Sequence, residues 1–292
     1  MLEFRKVTDV NEAAEFIAAL NSKDEHHVGY LGTDKEEVLD SLINDIFDLS
    51  VENSFVCAYE EEKLIGILGF DYDEEKKTAE VWGPFTNQLQ GHDLSLKMWN
   101  MLLKQLPIKP EKVYGFYNVK NQLGKCLMES LKAKRKDNQA ILTIRNEEQL
   151  GDNSTNITIK EITPDQYDVF RTLHTETFGD TYYSADAIVE KQDDESKVFI
   201  ALDDQDFLGY VFCETNVKFG EADIHYIAVS PVARGKGMGK QLIQKSLEFM
   251  FSFKEIREIT LCVEANNLPA IKTYKKAGFT EKYHLALYMV QL

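Results

Sequence analysis

Several features are scarce in this sequence of 292 residues, and each scarcity excludes a class of protein. Its four cysteines, Cys57, Cys126, Cys213 and Cys262, form no CxxC pair, so neither a disulfide framework nor a zinc site is indicated. We expect reduced, mostly buried thiols and no bound metal. No apolar stretch approaches the roughly 20 residues of a membrane span, and the first residues lack the apolar core of a secretory signal. These absences predict a cytoplasmic protein without a membrane partner.

Basic residues are also in deficit. The chain has 33 Lys and Arg against 49 Asp and Glu, which gives a formal net charge of −16. A nucleic-acid backbone is bound through clustered Lys and Arg, so we expect no nucleic-acid partner. Cationic small molecules or basic peptides fit this charge better, although acidity also serves solubility alone.

The length exceeds what one hydrophobic core usually serves, so we expect two domains. The best boundary is a polar, turn-rich segment between the apolar runs at residues 140–144 and 157–162. We therefore assign a first domain to residues 1–148, a linker to 149–156 and a second domain to 157–292.

The same order of elements recurs on the two sides of this linker. Strand hairpins are predicted around residues 55–70 and 198–212, and each is followed by a strand ending at a proline, Pro84 or Pro231. Helices follow at about residues 94–106 and 239–251, then strands at 112–117 and 258–263, and finally helices after Asn121 and Asn267. This recurrence predicts an internal duplication of an α/β unit, although any two α/β stretches can be matched loosely.

A glycine-rich turn joins the second proline-ended strand to its helix. The run Arg234-Gly235-Lys236-Gly237-Met238-Gly239-Lys240 combines glycines, basic side chains and a helix amino terminus, which together predict a phosphate or pyrophosphate site. A Walker loop is excluded because Gln241 replaces its Ser or Thr. A dinucleotide fingerprint is not favoured, since the spacing is GxGxG rather than GxGxxG.

The spacing Arg234-x-x-Gly237-x-Gly239 resembles the coenzyme A loop of the GNAT N-acetyltransferase superfamily. A second stretch, Asn267-x-x-Ala270-x-x-x-Tyr274-x-x-x-Gly278-Phe279, is similar to the downstream signature of that family. The resemblance covers roughly residues 157–292. It implies α/β domains with mostly antiparallel, splayed mixed sheets flanked by helices, and acetyl-coenzyme A as co-substrate.

The resemblance also implies roles for particular residues. Main-chain groups of Ile227, Ala228 and Val229 are expected to bind the pantetheine arm, and Arg234, Gly235, Lys236, Gly237, Met238, Gly239 and Lys240 the pyrophosphate. Tyr274 is expected to contact the cofactor and to protonate the departing thiolate; it would otherwise be a core tyrosine. Asn267 is expected to be a helix cap or a hydrogen-bonding residue on the cofactor side.

An amine acceptor must lose a proton, so a base is also expected. Asp223 is the first candidate, because it lies four residues before Ile227, where some relatives carry a glutamate. Glu221 and His225 are reserves. We expect the acceptor pocket around Phe178-Gly179-Asp180-Thr181-Tyr182-Tyr183 and near residues 283–290, although both segments could be ordinary loop and core.

In the first domain, the positions that align with the glycine-rich turn and with Tyr274 carry other residue types. Alignment by the proline and the asparagine places Asn87, Gln90 and His92 at Arg234, Gly237 and Gly239, and Met128 at Tyr274. We therefore expect a degenerate GNAT-like copy that is structural or shapes the acceptor pocket. For the whole chain we expect transfer of an acetyl group to a primary amine of a small molecule or peptide in a ternary complex, by a monomer or homodimer. A non-catalytic acyl-coenzyme A sensor and a transferase using another acyl donor are the alternatives.

Overall fold

The computed structural model describes residues 1–44, 48–88, 91–145, 157–179, 181–204 and 206–292. These residues form two compact units. One comprises Met1–Gln139 together with Tyr283–Leu292, and the other comprises Ala140–Lys282. Among the described residues, no helix is long and apolar enough to cross a membrane.

The first unit begins with a short strand and two helices, then a hairpin and a third strand. Asp9 caps the first helix, its carboxylate accepting hydrogen bonds from the amides of Asn11 and Glu12. The elements are β1 (Leu2–Arg5), α1 (Val10–Asn21), α2 (Lys35–Asn44), α3 (Val51–Ser54), β2 (Phe55–Glu60), β3 (Lys63–Asp73), β4 (Thr78–Thr86), α4 (Gly91–Gln105), β5 (Lys112–Asn118) and α5 (Gln122–Ser130).

The strands of the first unit lie in the order β1-β2-β3-β4-β5, and the last strand of the chain, β12 (Thr280–Gln291), lies beside β5. Only β4 and β5 are parallel to each other; the other paired strands of this unit are antiparallel. The core contains Phe70 packed edge-on against Trp99, with ring centroids 5.0 Å apart. The first unit is therefore a mostly antiparallel mixed sheet with helices around it.

The second unit repeats this order of elements. Its own strands and helices are β7 (Thr158–Glu161), α6 (Tyr167–Phe178), α7 (Ala185–Glu190), β8 (Ser196–Asp203), β9 (Asp206–Asn216), β10 (Glu221–Val229), α8 (Met238–Met250), β11 (Glu258–Glu264) and α9 (Leu268–Lys276). Short 3-10 turns lie at Pro164–Gln166 and Pro231–Ala233. The strand order is β7-β8-β9-β10-β11, and β6 (Lys134–Ile144) follows β11.

Part of the final strand of each repeat belongs to the other unit. Residues 140–144 of β6 are part of the second unit, and residues 283–291 of β12 pair with β5 in the first. The units thus differ from the predicted division at these two segments, because strand pairing between distant residues is not visible in local sequence patterns. The predicted linker, residues 149–156, lies outside the described residues.

Most predicted elements have close counterparts in the structure. The helices expected at about residues 94–106 and 239–251 are observed as Gly91–Gln105 and Met238–Met250. The prediction that a strand ends at Pro84 was wrong, since β4 continues to Thr86. The expectation of mostly buried thiols holds for Cys57 and Cys213 only, because Cys126 and Cys262 are exposed; all four are described, and none forms a disulfide.

Candidate functional site

Strand β10 of the second unit separates from its neighbour β11. β10 pairs in parallel with β11 only between residues 221–224 and 258–261. On its other edge β10 continues to pair with β9 as far as Val229, after a β-bulge between Ile224 and Tyr226. Within the described residues 206–292, Ile227, Ala228 and Val229 therefore have a ladder partner on one edge only.

The glycine-rich turn begins directly after this free edge. Gly235 and Gly237 have φ angles of +77° and +80°, a left-handed conformation that favours glycine. A Cβ atom built on either residue has no described atom within 4 Å, so the main chain of the turn faces open space. Arg234 lies against the end of β10, its Nε donating to the carbonyl of Val229 at 3.3 Å.

Helix α8 follows with its amino terminus at this turn. The helix begins at Met238 after Gly237, which has no side chain to cap it, and its first turn contains no acidic residue. The amides of Met238, Gly239 and Lys240 therefore have no acceptor within the helix. Met238 itself is 1% exposed, so its side chain is in the core and only its main chain is available.

An anionic cofactor arm fits this surface by two independent observations. The uncapped amides and left-handed glycines form an open cradle of the kind that binds phosphate groups. The Ser230 hydroxyl, at the end of β10, is buried and has no hydrogen-bond partner among the described residues. The site predicted from the spacing Arg234-x-x-Gly237-x-Gly239 thus has suitable geometry for a diphosphate.

Tyr274 lies on α9 in the core of the second unit. It is 7% exposed and packs edge-on against Phe279, with ring centroids 6.1 Å apart. Burial, with a smaller effect from the Cys262 thiol, raises the pKa of Tyr274 to about 12. The phenol is therefore protonated at neutral pH. Asn267 caps α9, its side chain accepting from the amide of Ala270 at 3.3 Å.

The candidate base Asp223 lies on β10, before the bulge. Its carboxylate accepts a hydrogen bond from the Thr260 hydroxyl on β11. Burial raises the pKa of Asp223, although His225 and Thr260 act in the opposite direction. Glu221, one of the reserves, also has a raised pKa, caused by burial and by the charge of Asp223. A raised pKa makes either carboxylate a better proton acceptor once it is ionised.

His225 is held by a carboxylate that the sequence did not reveal. It is the extra residue of the β-bulge, and its Nε2 lies 2.7 Å from Oε2 of Glu214. Glu214 also pairs with Lys191 at 3.2 Å. Burial alone would raise the pKa of Glu214, but its bonds to His225 and Lys191 leave the pKa below the ordinary value. The two partners therefore keep this carboxylate ionised.

Part of the predicted acceptor segment contacts β10. The hydroxyl of Tyr226 lies 2.9 Å from Oγ1 of Thr181 and accepts from the amide of Tyr183 at 3.1 Å. The ring of Tyr183 also lies 5.6 Å from that of His225, edge to face. Asp180 lies outside the described residues. Sequence reasoning missed Tyr226 and Glu214, because their roles depend on which strand positions lie opposite each other.

The other predicted acceptor segment belongs to a different compact unit. Residues 283–290 lie on β12, which pairs with β5 and belongs to the first unit. That they line the acceptor pocket stays a prediction.

In the first unit, the equivalent separation of strands is filled by the chain itself. β4 pairs with β5 only from Thr78 to Glu80. Beyond this point the buried side chain of Tyr117 crosses the gap, its hydroxyl donating to the carbonyl of Gly83 at 2.8 Å. The amide of Gly29 donates to the carbonyl of Phe116 at 2.8 Å. Met128, aligned with Tyr274, is fully buried and cannot donate a proton.

Residues 164–279 match the family model of the acetyltransferase (GNAT) family. The chain therefore contains a GNAT domain. An uncharacterized N-acetyltransferase of Methanocaldococcus jannaschii is 32% identical over 139 residues, which cover 43% of this chain and 61% of that relative. The chain thus spans about three fifths of the length of this curated relative.

Two solved structures extend the similarity to the first unit. A GCN5-related N-acetyltransferase from Sphaerobacter thermophilus has a TM-score of 0.75 at 16% identity, covering 99% of this chain and 95% of its own. A tandem GNAT protein from the clavulanic acid biosynthesis pathway has a TM-score of 0.67 at 14% identity, covering 99% and 98%. At these identities the likeness shows the fold alone. The fold is a tandem of GNAT units, as the sequence predicted.

Proposed function

We propose that the second unit is an N-acetyltransferase that moves an acetyl group from acetyl-coenzyme A to a primary amine of a small molecule or peptide. The observation that supports this most is the position of the free edge of β10 directly before the open turn at residues 234–237 and the uncapped start of α8. A ternary complex with direct attack is the proposed course. The Cys262 thiol near Tyr274 has a pKa raised to about 12 by desolvation, which keeps it protonated and weakly nucleophilic.

The cofactor would be held mainly by the main chain. The free edge at Ile227, Ala228 and Val229 can form hydrogen bonds with the amide groups of the pantetheine arm. The amides of residues 234–240 can bind the pyrophosphate, with Arg234, Lys236 and Lys240 adding positive charge. When bound, acetyl-coenzyme A supplies the thioester whose acetyl group is transferred.

Two side chains are proposed to handle protons. Tyr274 holds a proton at its hydroxyl at neutral pH, because its pKa is about 12, and can donate this proton to the leaving sulfur. Asp223 is the proposed acceptor of the proton that the amine loses. His225, oriented by Glu214, is the second candidate for this role.

The two candidate bases are distinguished by paired variants. Asp223→Asn keeps the hydrogen bond with Thr260 but removes the basic carboxylate, whereas His225→Gln removes the imidazole. We expect Asp223→Asn to lower kcat about 100-fold or more while leaving KM for acetyl-coenzyme A unchanged, and His225→Gln to have a smaller effect. Initial rates across pH 6–9 test this. A larger loss of kcat in His225→Gln than in Asp223→Asn would assign the base to His225.

The cofactor site is tested by Gly237→Glu. A carboxylate at this position would occupy the anion site, and the left-handed backbone disfavours a side chain, so we expect calorimetric titration to show no binding of acetyl-coenzyme A. Gly179→Glu is a matched control, because Gly179 also has positive φ and no described atom within 4 Å of a built Cβ. It should bind the cofactor as the wild type does. Equal binding by Gly237→Glu would refute the proposed site.

Product formation across a panel of primary amines separates a transferase from a non-catalytic sensor of acyl-coenzyme A. Titration with a longer acyl-coenzyme A addresses the other alternative, a different acyl donor. A cytoplasmic location and a monomeric or homodimeric state, without nucleic-acid or membrane partners, stay predictions. The acidic charge of −16 supports the exclusion of nucleic acid.

A further inference from the structure

A lysine of the chain lies inside the proposed acceptor site. Lys191 directly follows α7, and its Nζ lies 3.2 Å from Oε1 of Glu214 on β9. The same nitrogen lies over the ring of Tyr183, 5.0 Å from the ring centroid. A carboxylate and an aromatic ring face are also the groups with which proteins bind the ammonium group of a ligand. Lys191 thus places a group of the chain where a cationic ligand group could otherwise bind.

Glu214 and Tyr183 lie beside the two candidate bases. Glu214 is directly opposite Asp223 in the ladder of β9 and β10, and opposite side chains project to the same face with Cβ atoms about 5 Å apart. Oε2 of Glu214 lies 2.7 Å from Nε2 of His225. The ring of Tyr183 lies 5.6 Å from the ring of His225. The charge of Lys191 is therefore next to the place where the reacting amine would lose its proton.

The local structure of α7 fixes the position of Lys191. At the start of this short helix, the Ser184 hydroxyl accepts a hydrogen bond from the amide of Ala187 at 3.1 Å. At its end, the amide of Lys191 donates to the carbonyl of Ala187 at 3.0 Å. His174 donates from Nε2 to the carbonyl of Tyr183 at 3.0 Å, since a carbonyl can only accept. Tyr183, before the helix, and Lys191, after it, are thus held in defined positions.

Both carboxylate oxygens of Glu214 are engaged by groups of the chain. Oε1 accepts a hydrogen bond from the Ser196 hydroxyl at 3.2 Å in addition to its contact with Lys191, and Oε2 contacts His225. The side chain of Glu214 is only 17% exposed, so solvent ions screen these charges less than at an open surface. An ammonium group of a ligand would have to displace Lys191 from this carboxylate and would be repelled by it.

The other carboxylates next to the candidate base are also matched by positive charges of the chain. Glu258, on β11, is paired with both Arg145 and Lys282. The charges of Lys282 and Arg257 act on Glu221, which lies opposite Glu258. These cations oppose the binding of a second ammonium group on this side of the site as well.

We propose that Lys191 determines which amines the site accepts: it favours monoamines with an uncharged chain and disfavours diamines, because it occupies the place of their second ammonium group. This inference rests on the proposed function, the acetylation of a primary amine. The net charge of −16 attracts a diamine more strongly than a monoamine, so the protein surface alone would select the diamine. The local charge of Lys191 reverses this preference inside the site.

Binding of a diamine tests the role of Lys191 without turnover. The full-length protein and Lys191→Met are titrated with butane-1,4-diamine at pH 8 by calorimetry, in the absence of acetyl-coenzyme A. Lys191→Met removes the positive charge and keeps an unbranched side chain. We expect the variant to bind the diamine about tenfold or more tightly than the wild type, and butan-1-amine within about twofold. Equal affinity of the two proteins for the diamine, or binding by neither, would overturn the proposal.

Three further variants complete this measurement. Lys191→Arg keeps the positive charge and should bind the diamine as weakly as the wild type does. Lys254→Met removes the same charge from an exposed position after α8 and should also bind as the wild type does. Equal tightening by Lys254→Met would show a general charge effect and would refute the role of Lys191. Lys191→Gln replaces Lys191→Met if the latter does not fold, as judged by circular dichroism.

Initial rates with acetyl-coenzyme A separate this inference from the proposed function. We expect the wild type to have a kcat/KM for butan-1-amine about tenfold or more above that for butane-1,4-diamine, and Lys191→Met to lower KM for the diamine until this difference is lost. Turnover of butan-1-amine with an unchanged preference in Lys191→Met would refute the role of Lys191 alone. No turnover with any amine, together with tighter diamine binding by Lys191→Met, would refute the transferase and support the binding role of Lys191.

Discussion

At the residue scale, the proposed role of the Tyr274 hydroxyl as proton donor can be tested by one substitution. Tyr274→Phe removes the proton donor but keeps the buried ring against Phe279. We expect binding of acetyl-coenzyme A to stay within about twofold and kcat to fall about 100-fold. Tyr72→Phe, which removes a buried hydroxyl from the first unit, is the control and should retain full kcat. Unchanged turnover in Tyr274→Phe would make Tyr274 a packing residue only.

Glu80 makes stability depend on pH. Burial raises its pKa to about 7 in the folded protein, above the ordinary value of 4.5. Between these two pH values the folded protein keeps the Glu80 proton, whereas the unfolded chain has released it. Stability should therefore fall as pH rises from about 4.5 to 7. We expect Glu80→Gln to unfold at higher urea concentration than the wild type at pH 8, by about 1–3 kcal/mol, and to lose this advantage near pH 5. If Glu80→Gln were more stable than the wild type by the same amount at pH 5 and pH 8, the raised pKa of Glu80 would not be the cause.

At the scale of elements, local patterns predicted much of the fold. The helix predicted at residues 239–251 is observed at Met238–Met250, because its apolar spacing and preceding glycines are local signals. The same holds for Asn121 and Asn267, whose side chains cap α5 and α9. Each of these helices is also followed by a residue with a positive φ angle, Lys132 after α5 and Gly278 after α9.

Features that depend on strand register were not predictable. Glu214 contacts His225 because β9 pairs with β10 in a register that includes a bulge at His225. The sequence alone does not give this register. Likewise, the sequence predicted that the first unit has lost the residue types of the phosphate loop. It did not predict that Tyr117 crosses the gap between the separated strands. A sequence shows which residue types are absent, but not which side chain occupies the space they leave.

At the scale of the whole molecule, the two units differ in the gap between their separated strands. The strand separation is open at residues 227–229 of the second unit and filled by Tyr117 in the first. We therefore expect calorimetry to give one acetyl-coenzyme A per chain. A stoichiometry of two would show that the first unit also binds the cofactor. The Gly237→Glu variant provides the check, since it should reduce the number of sites to zero.

Because each unit contains a strand segment from the other repeat, a truncation in one repeat can damage the other unit. A gene fragment encoding the first repeat alone would lack Tyr283–Leu292, and one encoding the second would lack the part of β6 from Ala140 to Ile144. Each product would lack a segment of its unit, so we expect neither fragment to fold alone as it does in the full chain. A frameshift just before codon 283 would therefore remove a strand from the amino-terminal unit, although the change lies in the second repeat.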